Sequence, residues 1–391
     1  MKNPQEKKGF LRGLHDFLAL GNTGVEKAVF WVTEFICSTR IIMGSGAVSW
    51  LKELGAKKLL LVTDPYFVKT GAANRVLQAA AADQSRVFDR IEPDPSVSLA
   101  AEGTALMKEF QPDCLVALGG GSAMDCAKAM AYFSGSKALL VAIPTTSGSG
   151  SEVTDFAILT HGGVKHPLVD KRLRPDVAIL DDDFLKELPP GLVADTGFDV
   201  LSHALEALVA KNRSPMTDAL ARDAFCTAFA QLPASFGGNR QVRLKLHGAS
   251  CMAGMAFTQA GLGLCHAMAH SLGGLYHVPH GRLNAILLPA VMECNAAVCG
   301  EQYAKLARDA GLGGSADTIA VRNLRNGLIR LRKELKLPGT LAQAGVEPGK
   351  VWRDTPAIVS AALADPCCRT NPCDVADFMV RKILDEVTGR G

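Results

Sequence analysis

Nine histidines are spread over the 391 residues, and four of them, His266, His270, His277 and His280, fall within fifteen positions. Upstream, Asp199 and His203 stand four apart in FDVLSH, and His266 and His270 repeat that spacing in HAMAH. Side chains at i and i+4 share one face of a helix, so each pair presents two ligand-type groups to the same side. His280 sits in Pro279-His280-Gly281, a turn that can reach back to the preceding helix. One carboxylate with two or three imidazoles suits a divalent first-row metal such as Fe2+ or Zn2+. Three or four protein ligands leave a position open for a substrate oxygen. Spacing alone does not choose among His266, His270 and His280, and His277 reads as an ordinary surface or core histidine. HAMAH lacks the glutamate of the zinc-protease motif H-E-x-x-H, which removes the obvious base of a hydrolase.

A second kind of chemistry is written in glycines. The apolar run at 114–118 leads into Gly119-Gly120-Gly121-Ser122 and then a helical stretch. Glycine lets backbone approach a ligand closely, and a helix N-terminus offers free N–H groups and a positive dipole end. A pyrophosphate fits there, although such turns also serve packing. The run is not the dinucleotide fingerprint G-x-G-x-x-G, because Met124 stands at the last glycine. A second small-residue loop, Pro144-Thr145-Thr146-Ser147-Gly148-Ser149-Gly150-Ser151-Glu152, follows the run at 139–143. Two such loops fit one extended phosphate-bearing ligand better than two plain connectors. Asp64 ends the run LLLVTD. A carboxylate there can bind ribose hydroxyls and repel a 2′-phosphate, favouring NAD over NADP, or it can cap the turn before Pro65.

The elements that position these groups divide the chain. Between about 40 and 190, apolar runs at 58–63, 114–118, 139–143 and 177–180 alternate with helical stretches at 72–82 and 99–110. Continuous apolar strands separated by helices predict a mostly parallel sheet covered on both faces. Beyond about 192 the strand signals stop, and helical segments are expected at 195–211, 214–231, 241–260, 283–297, 315–335, 351–364 and 374–388. The expected organisation is an α/β domain at 26–191, an all-α domain at 192–391 and an N-terminal extension at 1–25, with an active-site cleft between the two domains.

Composition narrows the function classes. Charged residues make up 21% and apolar residues 48%, an ordinary globular balance, and a net charge of +3 gives no footprint for nucleic acid or an anionic membrane. No apolar run approaches the ~18–20 residues of a membrane span. The eleven cysteines are odd in number, widely spread and without a CxxC pair. They read as reduced thiols of a cytosolic protein rather than a disulfide framework. Near the N-terminus, Arg12, His15 and Asp16 interrupt what a secretory signal would keep apolar. Phe10, Leu11, Leu14, Phe17 and Leu18 recur at helical spacing instead. They predict an amphipathic helix over 5–20, either docked on the protein or able to bind a partner.

The stretches GGGSAMDCAK, PTTSGSGSEVT, DTGFDVLSHALEA and GLGLCHAMAHSLGGLYHVPHGRLNAILLP resemble the group III, iron-dependent alcohol dehydrogenases. The resemblance runs from about residue 40 to the C-terminus. It is nearest to the 1-propanol dehydrogenases of bacterial microcompartments, a likeness to which the ending ALADPCCRTNP adds. It implies the dehydroquinate-synthase-like architecture of an α/β dinucleotide-binding domain and an all-α metal domain. It places the metal ligands on Asp199, His203, His266 and His280, and a proton-transfer histidine near the nicotinamide on His270. It places NAD(H) on Asp64, the turn Gly120, Gly121 and Ser122, the loop residues Thr145, Thr146 and Ser149, and Lys165. Phe198 stands where methionine is usual and Ser271 where proline is common, so both are candidates for reshaping the alcohol pocket.

The activity implied is NAD-dependent interconversion of short-chain primary alcohols and aldehydes on Fe2+, with Zn2+ as the other metal to consider. The family also implies a homodimer or larger assembly. The extension has the character of an encapsulation tag for a microcompartment shell or core enzyme. The competing readings are a zinc-dependent polyol dehydrogenase or lyase of the same architecture, a metal hydrolase, and a shell-interaction protein without activity.

Overall fold

The computed structural model describes residues 34–162 and 164–389, and the fold is that of the larger of the chain's two units, Phe35–Gly391. The amphipathic helix expected over 5–20, with the rest of the 1–25 extension, lies outside the described residues.

The first half contains strands β1 (Arg40–Met43), β2 (Lys58–Thr63), β3 (Gln84–Phe88), β4 (Cys114–Gly119), β5 (Leu139–Pro144), β6 (Phe156–His161), β7 (Val164–Val169) and β8 (Val177–Leu180). Six of them form one sheet in the order β1-β8-β5-β4-β2-β3, while β6 and β7 make a separate two-stranded sheet. Every pairing in the large sheet is parallel, and β6–β7 is antiparallel. Helices α1 (Pro65–Lys69), α2 (Ala72–Ala80), α3 (Val97–Phe110) and α4 (Gly121–Ser134) supply crossovers.

The period of two along the strands explains why they read as continuous apolar runs. Leu60, Val62, Leu115 and Ala117 pack on one face with Ala100, Met107, Ala127 and Met130. Leu59, Leu61, Val116 and Leu118 pack on the other with Val48, Leu51, Ala73 and Val76. With both faces buried, no polar alternation survives. The same logic explains the strands that composition does not announce. Four of the five residues of β3 are exposed at the sheet edge, and β1 closes the opposite edge with four residues.

Strand order then decides where a ligand can sit. From β2 the chain crosses to β3 on one side, and from β4 it crosses to β5 on the other. The crevice at the carboxyl ends of β2 and β4 is therefore the topological switch point, where open α/β sheets bind ligands. Asp64 follows β2, and the triple glycine begins at the end of β4.

The second half is helical: α5 (Pro190–Val209), α6 (Pro215–Phe236), α7 (Arg243–Ala260), α8 (Leu264–Tyr276), α9 (His280–Asp309), α10 (Asp317–Glu334), α11 (Pro348–Ala364) and α12 (Asp377–Thr388). α5 is buried on nearly every side, with Phe198, Leu201, Ala204, Leu205 and Leu208 in one core with residues of α6, α7, α8 and α9. α9 is the one helix among the described residues long and apolar enough to cross a membrane, with mean hydropathy 1.4 over its best window. Of that window 67% is buried inside the protein, as befits a central core helix.

Candidate metal centre

Three helices bring the ligand-type groups together. Asp199 and His203 lie one turn apart on α5, His266 lies on α8, and His280 is the first residue of α9, with Pro279 as its cap. The close approach of α9 to α5 depends on Gly281. A Cβ there would collide with the Asp195 carbonyl and reach within 3.3 Å of Asp199 Cβ. From Asp199 Oδ1 the distances are 3.5 Å to His280 Nε2, 3.8 Å to His266 Nε2 and 3.9 Å to His203 Nε2. The donor atoms of Asp199, His266 and His280 all fall within 4.8 Å of one another. His203 stacks on His266 with ring centroids 4.6 Å apart.

The electrostatics suit a dication. Burial pushes the Asp199 carboxyl up, but His203, His280 and His266 outweigh it and hold the group far below the usual carboxylate range. Burial keeps His203 neutral, its pKa lowered to about 4, and lowers His280 well below the ordinary histidine value. Their lone pairs are thus available. His266 behaves differently. Burial alone would lower it, yet the Glu206 carboxylate raises it to about 9. Glu206 Oε2 lies 2.6 Å from His266 Nδ1, and Glu206 Oε1 accepts the Cys265 backbone N–H at 2.7 Å. This bond directs the His266 Nδ1–H outward and leaves Nε2 facing the cluster.

The Asn284 amide nitrogen donates to Asp199 Oδ1 at 2.8 Å and stands 3.3 Å from Nε2 of both His266 and His280. The acceptors therefore converge on one positively polarised group. A carboxylate and imidazoles directed at one point fit Fe2+ or Zn2+.

His270 stands beside this group. Its ring stacks on His280 at 5.3 Å, and its Nδ1 is 2.8 Å from Asp365 Oδ2. The His270 side chain is 29% exposed, so it reaches solvent while the other site histidines on α5 and α8 do not. Arg282 closes the neighbouring surface by a two-pronged pair with Asp195 at 2.9 and 3.1 Å.

The glycine loops meet at the switch point. Gly119 has φ +157, and a Cβ there would lie 2.5 Å from Ala123 Cβ. A Cβ on Gly120 would come within 3.5 Å of Thr146 Oγ1, and one on Gly121 within 3.4 Å of Ser149 Cβ. The two loops thus form one cradle that side chains would fill. No side chain caps α4, whose N-terminal N–H groups face the cradle. Thr145 is buried, and its N–H donates to the Gly119 carbonyl. Beneath the loops, the buried Lys128 ammonium donates to Ser151 Oγ, Thr154 Oγ1 and the Phe156 carbonyl at 2.8–2.9 Å. Asp64 caps α1, its Oδ1 accepting from the N–H of Tyr66 and Phe67, while Oδ2 faces Gly119. The cap and the ribose role therefore need not compete, since they use different oxygens. Lys165 lies outside both loops on β7, its ammonium 2.6 Å from Asp94.

Phe198 and Ser271, the candidates for the alcohol pocket, sit on α5 and α8. Phe198 is fully buried in the helical core, so it lines no open pocket. Ser271 donates to the Ile358 carbonyl at 3.3 Å and ties α8 to α11. Glu206, Asn284 and Asp365 escaped the reading of the sequence. Glu206 carried a signal, since Asp199, His203 and Glu206 follow i, i+4, i+7 spacing. Asp365 carried none, being 95 residues from His270.

Known proteins resemble this chain over both of its halves. The iron-containing alcohol dehydrogenase model matches residues 38–182, and the C-terminal model of the Fe-containing alcohol dehydrogenase family matches 193–388. The chain is 41% identical over 366 residues to the 1-propanol dehydrogenase PduQ of Salmonella typhimurium, covering 90% of this chain and 99% of that one. It is 37% identical over 369 residues to an NADPH-dependent butanol dehydrogenase of Clostridium saccharobutylicum, covering 88% and 95%. The structure of sulfoacetaldehyde reductase from Bifidobacterium kashiwanohense in complex with NAD+ superposes with a TM-score of 0.83 at 26% identity, covering 92% of this chain and all of that one. The two models between them span both halves of the fold, and the chain belongs to the iron-containing alcohol dehydrogenase family.

Proposed function

We propose that this chain is an NAD- and iron-dependent alcohol dehydrogenase interconverting short-chain primary alcohols and aldehydes, such as 1-propanol with propanal or ethanol with acetaldehyde. The observation that carries the reading is the convergence of Asp199, His203, His266 and His280 in one cluster, buried except for the partly exposed His280. The chain that builds it also forms the glycine cradle on Gly120 and Gly121. When bound, Fe2+ supplies a Lewis acid for an alcohol or aldehyde oxygen, and NAD supplies the carrier of the hydride.

The residues divide the remaining work. Asp199 supplies negative charge inside the cluster, and the neutral His203 and His280 offer lone pairs. Glu206 fixes His266 so that its Nε2 faces the others. Gly120, Gly121 and Ser122, with Thr145, Thr146 and Ser149, would hold the pyrophosphate of the dinucleotide, and Asp64 would be the carboxylate for its ribose. Asp64 supports NAD over NADP because a 2′-phosphate would meet a carboxylate. His270, oriented by Asp365 through Nδ1, keeps Nε2 for the alcohol proton and passes it to solvent. In the reductive direction the same atom returns that proton.

The test is NADH oxidation with propanal by protein purified anaerobically and reconstituted with Fe2+. Turnover that chelation abolishes supports the reading. Turnover only with polyols and Zn2+ would replace it with the polyol dehydrogenase alternative. In the cell we place the enzyme in the cytoplasm, as a homo-oligomer reducing aldehydes and regenerating NAD+, with residues 5–20 directing it into a microcompartment. Deleting residues 1–22 should release it from purified shells with activity intact, and unchanged shell association would refute the tag.

A further inference from the structure

Beside the Asp199 cluster lies a second set of ligand-type atoms that the dehydrogenase reading does not use as such. A ring nitrogen of His270, a carboxylate oxygen of Asp365 and Cys367 Sγ all fall within 4.8 Å of one another, and His270 Nδ1 is the nitrogen that faces Asp365 Oδ2 at 2.8 Å. Their placement is built rather than accidental. Asp365 Oδ1 accepts the Cys367 backbone N–H at 2.8 Å, which turns Oδ2 toward His270 at 2.8 Å. The turn Pro366–Thr370 that carries Cys367 is fastened by Thr370 Oγ1 to the Leu262 carbonyl at 2.7 Å. It is anchored again through Asn371, whose Oδ1 accepts from the Leu264 N–H at 3.1 Å. Leu264 begins α8, the helix that carries His270. One rigid junction therefore positions all three donors. His270, Asp365 and Cys367 are each partly exposed, so an ion has a route in.

We propose that His270, Asp365 and Cys367 form a second, inhibitory metal site, selective for thiophilic dications such as Zn2+. Imidazole, carboxylate and thiolate together are a zinc donor set, whereas Asp199 and its three histidines contain no sulfur. Binding moves the His270 Nδ1 proton to Nε2 and releases the Cys367 thiol proton to solvent, one proton per ion when His270 starts neutral. The ion then occupies the imidazole lone pair, and His270 can no longer accept the alcohol proton. Inhibition would occur with iron retained, which separates this site from simple replacement of iron by zinc. The inhibition arm rests on the dehydrogenase reading, and the spectroscopic arm does not.

The test adds Co2+, and separately Zn2+, to the iron-loaded full chain. A bound cobalt thiolate gives an ultraviolet charge-transfer band that the sulfur-free cluster around Asp199 cannot produce. The expected result is that band at one equivalent, with iron still bound and one proton released. Zn2+ should abolish the band by competition and inhibit aldehyde reduction in parallel. Cys367→Ser and Cys367→Ala should both lose the band, and the zinc concentration for half inhibition should rise at least ~10-fold relative to each variant's own activity. Iron content and circular dichroism of the variants check the fold. Absence of the band in the wild-type chain overturns the proposal, as does a band that survives in both variants. Release of one iron for every cobalt taken up overturns it too. Should the chain lack dehydrogenase activity, the band and the proton release still decide whether the site exists.

Discussion

Glu206→Gln is the substitution whose consequence the structure defines most sharply. Glu206 receives two donors, the His266 Nδ1–H at 2.6 Å and the Cys265 N–H at 2.7 Å, and it is almost wholly buried. Glutamine keeps the shape but offers one acceptor and one donor. If its oxygen serves His266, its NH2 confronts the Cys265 N–H and leaves that group without a partner. If its oxygen serves Cys265, its NH2 faces Nδ1, and His266 must carry its proton on Nε2, where the metal lone pair is needed. Either arrangement loses a hydrogen bond to a charged group, about 1.5–3 kcal/mol. That range agrees with the ~10–100-fold loss of metal affinity usual for removing a carboxylate behind a ligating histidine. The assay is iron retained against a graded chelator, with melting of the metal-free protein measured separately.

The metal-free protein gives a second readout. His266 is raised from 6.5 to about 9. A raised folded-state pKa contributes stability that is fully present below pH 6.5 and is lost as pH rises through about 9. Glu206→Gln should flatten that decline. A variant that holds iron within about twofold of the wild type and keeps the alkaline decline would refute the orienting role of Glu206.

Three further outcomes are expected. Asp365→Asn, which can keep an oxygen for the Cys367 N–H, should lower kcat about 10-fold with little change in KM for the alcohol, because it weakens the support of His270; a loss expressed through KM would argue for a binding role instead. Gly120→Ala should fold, since the new Cβ stays 3.5 Å from Thr146 Oγ1, but should weaken NAD+ binding at least ~10-fold by filling the cradle while iron content holds; titration of nucleotide fluorescence reads this. His247, fully buried with Nδ1 3.1 Å from Ser147 Oγ, is held neutral by burial with its pKa lowered to about 4. Its stability contribution is present above pH 6.5 and lost as pH falls toward 4, up to about 3 kcal/mol; chemical denaturation at about pH 7 and about pH 5 should show a smaller difference in His247→Gln than in the wild type.

Local pattern carried the parts of this protein whose physics is local. Helical periodicity places Asp199 with His203, and His266 with His270, on common helix faces, because ~3.6 residues per turn needs no partner to act. Burial on both faces makes β2, β4, β5 and β8 continuous apolar runs, so the parallel sheet is legible from composition. Gly119, Gly120 and Gly121 mark a close backbone approach, tightest at Gly119, where a Cβ would collide with Ala123. The edge strand β3, with four of its five residues exposed, is not legible in this way, and β6 buries only Ala157 and Leu159 on one face.

Only the tertiary structure could decide which histidines share a centre. His266 and His270 are equivalent by spacing, yet crossing α8 over α5 and α9 brings His266 to Asp199 and stacks His270 on His280 beside it. The packing of Gly281 against the Asp195 carbonyl sets the approach of α9 to α5. Asp365 and Cys367 reach His270 through a turn about ninety-five residues downstream. Contacts of that kind follow from how helices pack and leave no periodic trace in the chain. The sequence therefore determines the chemistry available, and the packing of the helices determines which atoms share a site.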